Sequence, residues 1–188
     1  MRKVTVMIEG LSPYSQSYMH DTPKLPKETM DAYEQRTWRE KANFDSKTGQ
    51  IYIPAMAFKQ ALDAAAKKLG DQIPGKGKST YTKFFLADVI CDDNVFLDAY
   101  KDKVRGITIN ANSDGVRGSG KRVKRTFPII DVWSGVASFT ILDDTVTPEV
   151  FERTMKTAGM GIGIGRFRPE KGGLNGRFKP TRFDWQQI

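Results

Sequence analysis

The chain has 188 residues, 39% hydrophobic and 11% aromatic, with 30 Lys and Arg against 22 Asp and Glu and a formal charge of +8. That length and apolar content exclude a disordered chain and allow a core without covalent staples, while the charge gives a surface field that attracts polyanions. A single Cys91 and a single His20 exclude an intrachain zinc site or disulfide, and no stretch approaches the roughly 20 apolar residues of a membrane span.

The expected location is therefore cytoplasmic, in a reducing compartment, and the expected organisation is one domain, 1–188, with long excursions. From Arg2 to Glu9, Val4, Val6 and Ile8 alternate with polar residues and predict a half-buried strand. Residues 10–26, with Pro13, Pro23 and Pro26, predict an extended loop, and 27–42 a peripheral helix. A turn over 43–50 leads into a short strand, Ile51 to Ile53.

Pro54 opens the clearest helix, 54–69, whose stripe is Ala57, Phe58, Ala61, Leu62, Ala65 and Leu69 and which Gly70 ends. Phe84 to Cys91 has strand character, and Val95 to Leu97 predicts a second strand pairing with it across Asp92-Asp93-Asn94. Residues 101–125 intersperse glycines with Lys and Arg and predict a mobile basic projection, with Arg117, Lys121, Arg122, Lys124 and Arg125 as phosphate contacts. Thr126 to Trp133 and Val136 to Leu142 predict two strands joined as a hairpin by Ser134-Gly135. A helix follows over 147–158, stopped by Gly159, and Arg177 to Trp185 predicts a closing strand.

The core order is βαββαβ, an α+β ferredoxin-like (RNA-recognition-type) arrangement with insertions at about 10–50 and 98–133. Between its last helix and last strand lies the run Gly159 to Phe178. Its glycines allow positive φ and close approach of a polymer to main-chain N–H groups. Arg166, Arg168, Lys171 and Arg177 supply charge for phosphates, and Phe167 and Phe178 supply rings for base stacking. A phosphate loop needs Gly-x-x-x-x-Gly-Lys followed by Ser or Thr, which does not end this run, and a dinucleotide fingerprint would sit between a first strand and a helix, so no cofactor is expected.

Ile53-Pro54-Ala55-Met56-Ala57-Phe58-Lys59-Gln60-Ala61-Leu62 resembles the signature that opens the first helix in the RAMP superfamily of CRISPR-associated proteins. The glycine loop before the last strand is similar to that superfamily's C-terminal glycine-rich loop. The resemblance implies a palm that binds guide RNA, a thumb-like β-hairpin in 98–133 and a web-like insertion in 10–50. It also implies that Lys59 contacts phosphate, and that Gly163, Gly165, Gly173 and Gly176 act as backbone donors or hinges.

The expected function is a non-catalytic subunit that binds single-stranded nucleic acid, RNA before DNA, and assembles head to tail with other copies and other effector subunits. The alternatives are a phage single-stranded DNA-binding protein and an inhibitor that imitates a CRISPR backbone subunit. Catalysis would rest on His20-Asp21, but adjacent residues in a loop usually point apart. Asp92-Asp93 and Asp143-Asp144 read as turn and helix-cap residues.

Overall fold

The computed structural model describes residues 1–113, 116, 118 and 120–188. In chain order the elements are strands β1 (Arg2–Gly10) and β2 (Tyr14–Ser15), helix α1 (Met30–Thr37) running into a 3-10 turn (Trp38–Lys41), β3 (Gln50–Ile53), helices α2 (Ala55–Leu69) and α3 (Thr82–Asp88), β4 (Val89–Cys91), β5 (Val95–Tyr100), β6 (Arg105–Asn112), β7 (Arg122–Ile130), β8 (Ser134–Ile141), α4 (Pro148–Thr157) and β9 (Phe178–Gln187). No helix among the described residues is long and apolar enough to cross a membrane.

The main sheet is antiparallel, in the order β4-β8-β1-β9. Alternation on β1 sends Val4, Val6 and Ile8 to one face, where they are buried with Ala137, Phe139 and Ile141 of β8. Helices α2 and α4 cover that face. Phe58, Ala61, Leu62 and Ala65 form the buried stripe of α2, which Gly70 ends in the left-handed region with its N–H on the Ala66 carbonyl. On α4, Thr147 caps the Val150 N–H, and Phe151 and Met155 point inward. Phe151 sits at 5.3 Å from Phe139 and 5.6 Å from Trp185 between ring centroids, so this one side chain ties α4 to both β8 and β9. Its full burial stabilises the fold by about 1.5–3 kcal/mol.

The structure differs from the sequence reading in how three segments between residues 82 and 141 fold or pair. Residues 82–88 form helix α3, and only Val89–Cys91 is a strand. Tyr81 and Phe85, four apart, are the buried positions, a helical spacing hidden inside an aromatic run. β5 pairs with β3, not with 84–91: Asn94 accepts the Ala55 N–H at 3.0 Å and turns the chain toward the start of α2. β7 and β8 form no hairpin with each other. The corner between them is pinned by Trp133, whose indole donates to the Ser12 carbonyl at 2.8 Å and whose carbonyl accepts the Gly10 N–H, so that β8 enters the main sheet while β7 joins another.

That second sheet, in the order β2-β7-β6, is the basic projection. Residues 105–112 and 122–130 are a regular antiparallel hairpin, with Asn112 opposite Arg122 near its tip and Gly106 opposite Pro128 at its base. Gly106 lies under the indole of Trp38, which locks the insertion carrying α1 against the hairpin.

Candidate nucleic-acid interface

The glycine-rich segment after α4 is built into the fold by its own hydrogen bonds. The helix does not stop at Gly159. It continues as a π-turn, Ala158–Ile162, closed by the Gly163 N–H on the Ala158 carbonyl at 2.8 Å. Gly159 is there because a Cβ would lie 2.1 Å from the Phe178 carbonyl oxygen, so the residue sets how closely helix and strand approach.

The backbone donors expected to cradle phosphates are mostly engaged internally. Gly173 N–H donates to Arg168 and Gly176 N–H to Pro13, at 3.1 and 2.8 Å. Gly176, at φ +71, would place a Cβ 1.8 Å from the Ile164 oxygen, and Gly165, at φ +74, would place one 2.4 Å from the Tyr14 ring. Gly163, Gly173 and Gly176 therefore spend their N–H groups inside the loop, against their reading as anion donors, and all four glycines, Gly165 included, shape it by close packing. Gly163 and Gly165 do line a cavity with their backbone. Phe178 is also corrected: it is fully buried, edge-on to Phe58, and stacks no base.

What this scaffold holds out is Arg166. Its N–H donates to the Ser15 carbonyl at 2.8 Å, which fixes the backbone to β2. Its guanidinium lies between two rings, 3.4 Å from the centroid of Phe127 on β7 and 4.1 Å from that of Phe167. Nη1 is sealed from solvent without a hydrogen-bond partner, and Arg166 makes no ion pair among the described residues. Burial lowers its pKa from the usual arginine value. Phe167 holds a left-handed backbone, φ +57, uncommon for an aromatic residue, and its ring is 47% exposed.

Beside Arg166 a buried carboxylate organises two further cations. Glu34 on α1 accepts the Thr126 N–H of β7 at 2.6 Å and an Arg125 N–H at 3.3 Å, and receives a hydrogen bond from the Lys41 ammonium. Lys41 also donates to the Thr126 carbonyl at 2.9 Å and lies over the Phe127 ring. Two side chains thus satisfy the outer edge of β7 as a neighbouring strand would. Burial opposes the charge on Glu34, but the bonds from Lys41 and Thr126 outweigh it and hold the carboxyl below its usual range. Burial pushes Lys41 down.

Two cavities meet at Arg166. The first, about 630 Å³, has an apolar floor of Ala57, Ala61, Ile162 and Ile164, polar walls at Asn43 and Gln60, and Arg168 at its end. Arg168 is neutralised by Glu170 at 2.9 Å. The second, about 560 Å³, lies between the loop and the β6–β7 hairpin and is lined by Lys41, Arg125, Arg166, Phe127 and Asn112. Ser17, Tyr18 and Arg166 line both. Tyr18 is 56% exposed at this shared wall.

Of the residues expected from sequence, Arg125, Arg166, Phe167 and Arg168 are brought together here. Lys121, Arg122 and Lys124 stand exposed on the hairpin, and Arg117 lies outside the described residues. Lys171 is exposed beside Glu170 at 3.7 Å. Arg177 lines neither cavity; its Nε is buried without a partner, and its main chain bonds Leu11 and Ser12. Lys59 is not on the groove. Its ammonium bonds Asp63 at 2.5 Å and the carbonyls of Phe85 and Leu86 at 2.6 and 3.2 Å, so it joins α2 to the end of α3. His20 bonds Thr22 at 3.1 Å and stacks near Tyr33.

Sequence reasoning missed Tyr18, Glu34, Lys41, Asn43 and Phe127. Glu34 and Lys41 stand seven apart, about two helical turns, which is their one local trace. Nothing local pairs either with β7.

No family model matches the chain, and no curated relative matches it. Solved structures do. One is a chain in the cryo-EM structure of the Type III-B Cmr-beta bound to cognate target RNA, with a TM-score of 0.53 and 17% identity over 98% of this chain. The chain spans 60% of the length of that subunit. Another is Cmr6 from Pyrococcus furiosus, with a TM-score of 0.52 and 13% identity, covering 96% of this chain and 99% of that one. This chain has the fold of the RAMP-type CRISPR subunits, in agreement with the resemblance carried by the α2 motif and the glycine-rich loop.

Proposed function

We propose that this chain is a non-catalytic, RNA-binding subunit of a CRISPR-type ribonucleoprotein, which holds single-stranded guide RNA and assembles head to tail along it beside other effector subunits. On this reading β1, α2, β4, β8, α4 and β9 are a ferredoxin-like palm, supported by the strand order β4-β8-β1-β9 with two helices on one face. The observation that carries the proposal is the pair of cavities joined at Arg166, running from the start of α2 to the thumb-like hairpin, with aromatic residues along it and, where they join, an arginine that pairs with no carboxylate among the described residues. Such a groove suits a flexible, singly charged-per-link strand: stacking takes any base, and cations take the backbone. Its position on the loop side of the palm also leaves the open face of the main sheet to other contacts.

Equilibrium binding of fluorescent single-stranded RNA across a salt series tests this. Arg166→Ala should weaken binding and flatten the salt dependence, whereas unchanged affinity and slope would overturn the groove assignment. For the non-catalytic part, labelled RNA should remain intact with wild type in varied divalent ions. Cleavage that His20→Ala abolishes would replace this reading with a nuclease. Equal affinity for RNA and DNA of the same sequence would favour a general single-strand binder.

A further inference from the structure

The two cavities differ in charge. In the first, the only cation besides Arg166 among the described residues is Arg168, which Glu170 neutralises, and the floor is alanine, isoleucine and glycine backbone. In the second, Lys41, Arg125 and Arg166 converge around one carboxylate, that of Glu34, so among the described residues its lining keeps a positive excess. Both volumes fall within the range of small-ligand pockets, roughly 300–1,000 Å³.

We infer that a single nucleotide binds astride Arg166, with its base in the neutral cavity and its phosphate in the cationic one. The inference rests on the RNA-binding reading and names the unit that the groove holds. An uncharged, flat base is matched by an apolar floor, by the exposed Phe167 ring and by Tyr18, with Asn43 and Gln60 able to exchange hydrogen bonds at its edge. A phosphate is matched by three cations and by a guanidinium that Phe127 and Phe167 hold between them. Clamped this way, the guanidinium is oriented before the ligand arrives, and no carboxylate among the described residues competes with a phosphate for it. A lysine would keep the charge but lose the fork and the stacking.

The test is a set of chemical-shift titrations of the full chain with uridine, uridine 5′-monophosphate and inorganic phosphate, together with binding of a short oligouridylate RNA. The nucleotide should bind at least about tenfold more tightly than either uridine or phosphate alone, because each half adds to the other. Arg166→Lys should remove about tenfold or more of nucleotide affinity while leaving uridine within about twofold, the loss of one charge-assisted bond. Phe167→Ala, at an exposed position, should weaken uridine and the nucleotide together.

Equal binding of uridine and its monophosphate, or of phosphate and the monophosphate, overturns the inference. So does nucleotide affinity unchanged by Arg166→Lys. If the oligouridylate still binds in those cases, the RNA reading stands without the two-cavity assignment. If wild type binds no oligouridylate, the RNA reading itself falls, whatever the mononucleotide does.

Discussion

The glycine-rich loop and the β6–β7 hairpin read alike in sequence, each a basic stretch broken by glycine, yet they present charge in different ways. In the loop, positive φ, close backbone contacts and internal hydrogen bonds fix every turn, and a single arginine is held between two rings. On the hairpin, Lys121, Arg122 and Lys124 stand exposed toward the tip, and Arg125, midway along it, is drawn to Glu34. A fixed cation selects a place for one phosphate; exposed cations attract a chain without choosing where.

The largest effect that would break this contrast is structural. Gly176→Ala puts a Cβ against the Ile164 carbonyl at a left-handed position, and should cost about 3 kcal/mol or more in denaturant unfolding. A variant of wild-type stability would show the loop to be loosely held. Next, Glu34→Ala strands Lys41 and the Thr126 N–H and should cost about 2–3 kcal/mol, together with a loss of RNA affinity as the hairpin loses its anchor.

The sign of the pH dependence follows from the lowered Glu34 value. The carboxylate contributes stability that is fully present above the ordinary glutamate pKa of 4.5 and is lost as pH falls through the lower folded value. Thermal melts should therefore show wild type losing this component in acid, while Glu34→Gln lacks it at every pH. Parallel melting curves for the two proteins would contradict the anchor.

A smaller effect is expected from the triple change Lys121→Ala, Arg122→Ala and Lys124→Ala. It should lower the slope of log affinity against log salt by about 2, at roughly 0.7 per phosphate contact, and weaken all single strands alike. Smallest is Lys59→Ala, which should leave RNA affinity unchanged and reduce stability by about 1 kcal/mol, since its ammonium serves Asp63 and the end of α3. A selective loss of RNA binding would return Lys59 to the interface.

The main sheet and its two helices were legible where one period ran undisturbed: the alternation of Val4, Val6 and Ile8, the stripe of α2 and the Thr147-Pro148 start of α4. Helix α3 was not, because Phe84-Phe85-Leu86 satisfies a buried strand as well as a helix, and tertiary contacts of Phe85 chose between them. The partner of β7 was hidden for a related reason. Two apolar runs around Ser134-Gly135 have the look of a hairpin, and only the distant Gly10 and Ser12, through Trp133, send them to different sheets.

In the site, Arg166, Phe167 and Arg168 stood out in a short basic, aromatic segment. Lys41, Glu34 and Phe127 did not, since the bond from Thr126 to Glu34 spans 92 residues and leaves no local pattern.

Ultraviolet cross-linking of bound single-stranded RNA, with the attached peptides mapped by mass spectrometry, tests the position of the groove most directly. Cross-links should concentrate at Tyr18 and Phe167, the exposed aromatic residues of the two cavities. Cross-links confined to Met7 and Val136, which are exposed and opposite one another on the open face of the main sheet, would contradict it.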